Sequence, residues 1–542
     1  MNRLRRLLCT AVALLLSIGL QPAAAHASVL SPEVQVLTPV STARQFAGAA
    51  IAIDGDLALV GVPGAANGAS GRVVAYQRTG GVWMIVETID HPLAGAPEAF
   101  TANFGAALAI DGERAVIGAP NHGAGATAGR GAAYVFDWSG SAWVHDAAAL
   151  VRPATTPPRF GASVAISGER VAVGAPGTAE GVAVGAVVVF ETPASDGVSI
   201  PAVSAVEAGD DLFGASLALA GTTLVIGAPG IDTPQIDAGA AYAFDLVAGA
   251  WTPRGSVSFD TVRGARAGTD VAVSADGLVI AVGAPGHGAA VNENSGGVFA
   301  VRRASTDVGF VSTTASLLVS EESAPSTYFG SSVAIDGPRL LVGAPLVGAS
   351  PNTFGRGYLF EDRDDEWIPT ARFSLAADTM ITNQARLGDA VALSGDTALV
   401  AAPSHDGSSM RVGLVGVFLV PGGAGAACSI DARCESASCG ESGVCCAESC
   451  GECGTCDGTG ACVAAREGLM CMSACGSAMC SAGECVATCD AGVMTDVSLV
   501  RIRISGCACR AGHRDDSPGG LLIGGLLGLG LLALWRRRRS KS

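Results

Sequence analysis

Three histidines share one frame in this sequence. His122, His287 and His405 each lie two residues past a proline, in "APNHG", "APGHG" and "APSHD". Imidazoles can ligate a metal or carry a proton near neutral pH. Ligation needs nitrogens converging on one ion at about 2.0–2.1 Å, which three separate segments achieve only near a common axis. The alternative is that all three are exposed turn residues. Carboxylates offer a second chemistry. "DGD" at 54–56 sets two of them around a glycine, but a calcium loop takes about six to eight oxygens. "EDRDDE" (361–366) is the densest acidic cluster and reads as a solvated turn. "CGECGTC" (450–456) carries two Cys-x-x-Cys spacings, which suit zinc or redox work in a reducing compartment. No Gly-x-Ser-x-Gly, His-Glu-x-x-His or P-loop motif occurs.

The elements that would position these groups come from a repeat. Seven copies align: "AGAAIAIDGDLALVGVP" from Ala47, "FGAALAIDGERAVIGAP" from Phe104, "FGASVAISGERVAVGAP" from Phe160 and "FGASLALAGTTLVIGAP" from Phe213. "AGTDVAVSADGLVIAVGAP" from Ala267, "FGSSVAIDGPRLLVGAP" from Phe329 and "LGDAVALSGDTALVAAP" from Leu387 complete the set. The period runs between 53 and 62 residues. Within each copy an alternating run, a glycine turn and a second apolar run predict a β-hairpin. Proline ends the second strand because it cannot donate to a ladder. A third strand follows, such as "GAAYVFD" (131–137), then a fourth that often carries Trp, as in "AWTPRGSVSF" from Ala250. Four antiparallel strands, seven times, predict an all-β fold, a seven-bladed β-propeller of four-stranded blades. The seventh copy lacks a fourth strand before the cysteines begin. "PEVQVLTP" (32–39) resembles the fourth-strand ends and is expected to complete that blade, removing an exposed edge.

This "FG … GAP" spacing, with "GAAYVF" and a Trp strand, resembles FG-GAP repeat proteins over roughly residues 32–420. Integrin α-subunit head domains are distant relatives. Several integrin-type repeats bind calcium in an Asp-rich hairpin, and this sequence departs from them. Copies two and six keep only Asp111-Gly112 and Asp336-Gly337, while copies three and seven have Ser167-Gly168 and Ser394-Gly395. No cofactor is therefore expected, and the ligand count disfavours calcium. By analogy with the integrin head, binding belongs to the face made by second-to-third-strand loops and blade-to-blade connections. Its candidate ligand-binding residues are Asn121, His122, Asp232, Asp237, His287, Asn292, Glu293, Asn294, Asn352, His405 and Asp406.

The flanks speak about location. Residues 1–27 read as a secretory signal: Arg3, Arg5 and Arg6, an apolar run, then the small residues of "AAAHAS". The propeller is expected over 28–421 and a cysteine-rich stalk over 422–490. Fourteen cysteines fall in the stalk: Cys428, Cys434, Cys439, Cys445, Cys446, Cys450, Cys453, Cys456, Cys462, Cys471, Cys475, Cys480, Cys485 and Cys489. In an exported chain, so even and dense a set reads as a disulfide framework whose pairing stays open. The stalk also resembles the cysteine-rich stalks of myxobacterial surface proteins. A linker (491–516) with "GCACR", a hydrophobic helix (517–535) and a basic cytoplasmic tail (536–542) follow. Together these resemble the MYXO-CTERM sorting tail. That resemblance implies processing by a sorting protease, modification at Cys507 or Cys509, and anchoring at the outer surface by a single C-terminal span.

The formal net charge is −16, yet eight positive residues sit at the two ends; −16 less those eight leaves −24 for the body. So acidic a body excludes nucleic acid as a partner. The favoured function is non-catalytic binding or adhesion to an extracellular protein, glycan or matrix. The alternatives are an extracellular polymer-degrading propeller enzyme and a purely structural surface protein.

Overall fold

The computed structural model describes residues 29–420 and the strand segments 454–456, 462–464, 470–473, 476–481 and 484–486. Within 29–420 it leaves out 33, 40–44, 65–69, 125–126, 147–149, 151, 155, 178–184, 192–195, 202–210, 233–234, 259–261, 289–293, 312–314, 321–325, 348–353, 376–384 and 407–410.

Seven antiparallel sheets of four strands follow one another along the chain. Blade one is Ile51–Asp54, Leu57–Val62, Arg72–Thr79 and Val82–Asp90; blade two is Ala107–Asp111, Arg114–Ala119, Ala132–Trp138 and Trp143–Asp146. Blade three is Ser163–Ser167, Arg170–Ala175, Ala186–Phe190 and Val198–Pro201; blade four is Ser216–Ala220, Thr223–Ala228, Ala240–Val247 and Ala250–Ser258. Blade five is Val271–Val273, Val279–Ala284, Gly297–Arg302 and Ala315–Leu318; blade six is Ser332–Asp336, Arg339–Ala344, Arg356–Arg363 and Glu366–Ser374. Blade seven is Ala390–Ser394, Thr397–Ala402 and Leu414–Leu419, and its fourth strand is Gln35–Leu37 from the other end of the chain. The first strand of every blade neighbours the first strand of the next, and Ala390–Ser394 returns to Ile51–Asp54. The ring is closed, as the seven-bladed expectation required.

The apolar patterning follows from this sandwiching. A blade's middle strands have a neighbouring blade on each side, so both faces need apolar residues. "LALVGV", "TLVIGA", "VIAVGA" and "TALVAA" are accordingly buried at all six positions. The core is seven clusters, each drawn from two adjacent blades. The repeat phenylalanines Phe104, Phe160, Phe213 and Phe329 are wedges in these seams, each 0% exposed. Burying one such ring stabilises by about 1.5–3 kcal/mol.

Two glycine columns let the blades approach. The glycine after each wedge has φ between +83° and +99°. The residue before the wedge accepts a hydrogen bond from the N–H three residues on, as from Ala162 to Arg159 at 2.9 Å. That is type II turn chemistry, with glycine where φ must be positive. The "GAP" glycine answers to space instead. A Cβ on Gly118 would stand 2.1 Å from the carbonyl oxygen of Gly161 in the next blade. Blade seven carries Ala401 at this place, so the seam between blades seven and one is built differently.

That seam has its own fastenings. Gln35–Leu37 pairs antiparallel with Leu414–Leu419. The Gln35 side-chain amide then donates to the Trp83 carbonyl (2.7 Å) and accepts from the Trp83 N–H (2.9 Å), clasping the outer strand of blade one. The Ala47 N–H donates to the Val412 carbonyl at 3.1 Å. Just upstream, Val29–Pro32 lies parallel on Glu366–Ser374 as a fifth strand of blade six.

In the cysteine segment, Gly454–Cys456 pairs with Cys462–Ala464, setting Cys456 opposite Cys462. Met470–Ser473, Gly476–Ser481 and Glu484–Val486 form a three-stranded sheet with Cys480 opposite Cys485. The other cysteines of the segment, apart from Cys471, lie outside the described residues, as do the signal, Cys507, Cys509 and 517–535. Among the described residues no helix is long and apolar enough to cross a membrane.

Candidate functional site

The hairpin face, which carries the first-to-second and third-to-fourth turns, uses its polar groups to join blades. The Asp or Ser before the turn glycine accepts the N–H of the next blade's turn glycine. Asp54 accepts from Gly112 (2.6 Å), Asp111 from Gly168 (2.5 Å) and Ser167 from Gly221 (2.9 Å). Asp336 accepts from Gly395 (2.6 Å) and Ser394 from Gly55 (3.0 Å). Two seams lack this bond because blade four has Ala220 there and blade five a longer hairpin. Arginines replace it. Arg303, with a fully buried side chain, reaches Asp245 (2.6 Å) and Thr223 (2.9 Å) in blade four. Arg302 pairs with Asp362 and with Asp365 of blade six.

The acidic motifs are thereby given partners. In "DGD", Asp54 holds Gly112 and Asp56 pairs with Arg78 at 2.6 Å. "EDRDDE" spans the expected turn between the third and fourth strands of blade six, with Asp364, Asp365 and Glu366 exposed. Its acids Asp362 and Asp365 hold Arg302 across a seam, and Glu361 pairs with Arg363 at 2.7 Å. Among the described residues no three His, Cys, Asp or Glu side chains gather as metal ligands would.

On the opposite, loop face, the histidines share one structural position. The N–H of His122, His287 and His405 donates to Ala119, Ala284 and Ala402, and each carbonyl accepts from the glycine that opens the third strand. Ile231 and Val347 fill the same position in blades four and six, with the same bonds. The exposed-turn expectation is therefore corrected. His405 is 7% exposed, His122 and His287 are half-buried, and His287 packs edge-on against Phe299 at 5.3 Å. Burial lowers the pKa of all three. They are spread over blades two, five and seven and are not brought together.

Asp237 and Asn294 also answer to the backbone. They have φ of +52° and +58°, and their carbonyls accept from Arg266 and Tyr328 of the next blade. Asp232 accepts from the Asp237 N–H (2.9 Å) and Asp406 from the Arg411 N–H (2.6 Å), closing the same loop in blades four and seven. Asn121 is exposed, and its N–H donates to Ala102. Asn292, Glu293 and Asn352 lie outside the described residues.

A histidine cluster escaped the sequence reading. His91 stacks on His122 at 5.3 Å, and its Nε2 lies 3.2 Å from the Tyr134 hydroxyl. Its Nδ1 accepts the Leu93 N–H (3.0 Å), so Nε2 carries the ring proton. His145 faces Tyr134 at 5.7 Å. Burial, then the fields of His122 and His145, push the His91 pKa down to about 4. His91 and His145 lie off the repeat, so the repeat gave no signal for them.

The residues just before each wedge share one backbone conformation, and three of them converge. Phe46, Asn103, Arg159, Leu212, Arg266, Tyr328 and Arg386 all have φ between +52° and +64°. They lie on the loop face beside the opening of the preceding blade's third strand: the Arg159 N–H donates to Gly129 and the Arg266 N–H to Asp237. Phe46, Asn103 and Arg386, from three consecutive blades, line one cavity of about 410 Å³ with Ala49, Asp389 and Ser404. Arg386 pairs with Asp389 at 2.7 Å; burial raises the Asp389 pKa and Arg386 opposes that. Arg411 lies over the Phe46 ring at 5.7 Å. Arg130, Arg159 and Arg266 are exposed, and among the described residues their guanidinium groups have no ion pair or hydrogen bond.

Residues 98–136 and 204–244 match the FG-GAP repeat family. These stretches take in the first three strands of blades two and four, so two blades of the seven-bladed propeller match as FG-GAP repeats. No curated protein matches the chain in sequence. Among solved structures, the β-propeller domain of the Trilobed protease from Pyrococcus furiosus is similar, at 10% identity and a TM-score of 0.37. The alignment covers 65% of this chain and 90% of that one. A putative 6-phosphogluconolactonase from Bacteroides uniformis is similar at 12% identity and a TM-score of 0.38, over 60% of this chain and 87% of that one. The activities in those names belong to those proteins.

Proposed function

We propose that this chain is an exported, surface-anchored binding module, and that its propeller offers the loop-face cavity across blades seven, one and two to an extracellular ligand. One observation carries this. Three residues on like turns, Phe46, Asn103 and Arg386, line one cavity of about 410 Å³ on the loop face and are of three different types. The turn constrains their backbone and leaves their side chains open, which is what a recognition surface needs. The flanking segments support the rest of the reading. The signal at 1–27 takes the chain out, the stalk at 422–490 spaces the ring from the surface, and processing at Cys507 or Cys509 anchors it. Binding without turnover is the favoured activity, because the carboxyl lining the cavity, Asp389, is paired with Arg386 rather than set beside a base.

The test is to present the full-length protein to arrays of extracellular glycans and surface proteins. Saturable retention without product release is expected, and Ala49→Trp, which fills the cavity, should remove it. Product release from a retained polymer would make the protein an enzyme. No retention by a folded chain would make it a structural component.

A further inference from the structure

We infer that His91 is the catch of an acid-released strap: when its ring takes up a second proton, the connection 91–103 comes free of blade two and draws Asn103 out of the cavity wall. This rests on the binding-module reading above, whose cavity the strap helps to line. The connection runs from the outer strand of blade one, Val82–Asp90, to the wedge Phe104. His91 is its first residue and Asn103 its last. Along it, the Glu98 carbonyl accepts from the Gly123 N–H (2.9 Å) and the Ala102 carbonyl from the Asn121 N–H (3.1 Å). Leu93 and Phe100 are exposed, and Thr101 and Asn103 hold φ of +59° and +56° without being glycine. Its root is buried instead. His91 is 2% exposed, stacked on His122 and edge-on to Phe104 (5.3 Å) and Tyr134 (5.0 Å), all of blade two.

Proton counting makes this root a switch. A neutral imidazole has one donor and one acceptor nitrogen, and a charged one has two donors. Nε2 already carries the proton, 3.2 Å from the Tyr134 hydroxyl, so a second proton must go to Nδ1. There it meets the Leu93 N–H, donor against donor, and the turn that opens the strap is broken. The charge would also lie beside two further imidazoles, because His122 and His145 flank the same tyrosine. The surrounding carboxylates serve others: Glu98 acts on His122 and Asp146 on His145. Asp90, its cross-strand neighbour Arg72 and Arg130 on the His122 loop are exposed. The closed strap thus prefers neutral His91, and the free strap lets it titrate near 6.5. Closure is complete above that value and is lost as pH falls from there toward about 4. The seam itself has other holds, in the wedge Phe104, 0% exposed, and in the Asp54–Gly112 bond on the opposite face. The connection therefore gives way before the ring.

The test is hydrogen exchange on the full-length protein at about pH 7 and about pH 4.5, read by segment and corrected for the intrinsic pH dependence of exchange. Protection over 92–103 and 121–123 should fall by about tenfold or more at the lower pH, with Leu57–Val62 and Arg114–Ala119 unchanged. His91→Asn should keep the strap closed at both, because an asparagine oxygen accepts the N–H two residues on and takes no proton. Tyr134→Phe keeps the ring and leaves Nδ1 untouched, so acid release should persist. Full protection of 92–103 in the unaltered protein at the lower pH would overturn the inference. So would loss in step with the central strands, release undiminished in His91→Asn, or release abolished by Tyr134→Phe. On the arrays of glycans and surface proteins, whatever is retained at about pH 7 should elute at about pH 4.5, and should stay on His91→Asn. Retention that survives release of the strap would overturn its hold on the cavity and leave the binding-module reading in place. A folded chain that retains nothing at either pH would remove that reading alone, since the exchange is measured without ligand.

Discussion

The two faces of the ring are made by the same repeats but place their charges differently. On the hairpin face the carboxylates and hydroxyls beside the turns are bonded across seams, and Arg302 and Arg303 serve the two seams where that bond is missing. On the loop face, Arg159 and Arg266 are exposed, and their guanidinium groups have no partner among the described residues. Side-chain bonds join the blades on the hairpin face, whereas the loop face is joined through the backbone, as from the Arg266 N–H to Asp237, which leaves side chains such as Arg266 exposed. Stability should therefore respond to the hairpin face and binding to the loop face.

The sharpest way to break that comparison is Asp245→Ala. It leaves Arg303 buried and unpaired and should cost about 3–5 kcal/mol in denaturant unfolding. Arg303→Met combined with Asp245→Leu should recover part of the loss. Next in size is acid. His91 has a folded pKa of about 4 against an ordinary 6.5, so its contribution is complete above pH 6.5. It is lost as pH falls through the folded value, by roughly 3 kcal/mol at most. Asp270 opposes this. Burial raises its pKa to about 6 from 3.8, so the folded state takes up a proton first and gains stability as pH falls toward 3.8. Unfolding curves between pH 7 and 4 should thus show a shallower acid loss for His91→Phe and a steeper one for Asp270→Asn. Equal slopes in all three proteins would refute the assignment. A smaller effect is expected for Asp111→Ala, which removes one exposed bond to the Gly168 N–H; a loss of about 1 kcal/mol should appear by the same unfolding assay. The smallest is Arg159→Gln with Arg266→Gln, where unfolding should shift by no more than about 0.5 kcal/mol. A large loss there would mean that these arginines join blades on the loop face as well.

What was legible beforehand follows the same division. Phe-Gly and Gly-Ala-Pro recur because each seam imposes the same wedge, the same positive φ and the same close approach, so the repeat could be read as blades. The seam chemistry was hidden because Asp245 lies near the end of a third strand just as Asp137 does, yet its buried partner Arg303 lies 58 residues on, in the next blade. Polarity misled at Asp237 and Asn294, which sit where the backbone needs a left-handed residue that Asp and Asn tolerate. The histidine column looked chemical until Ile231 and Val347 proved to fill the same place. The cavity was hardest to see. A column reading Phe, Asn, Arg, Leu, Arg, Tyr, Arg has no compositional signature, and only the folded ring brings Phe46, Asn103 and Arg386 of it to one cavity.

The fastening of blade seven has a mechanical consequence. The chain leaves the ring from Leu414–Leu419, which has Thr397–Ala402 on one side and Gln35–Leu37 on the other. A pull along that strand from residues beyond 420 loads two ladders at once, in shear. Had the chain departed from an outer strand, the same tension would peel one ladder bond by bond. The borrowed N-terminal strand thus turns the point of greatest load into an internal grip, and a tethered ring can be tugged without unzipping at its last repeat.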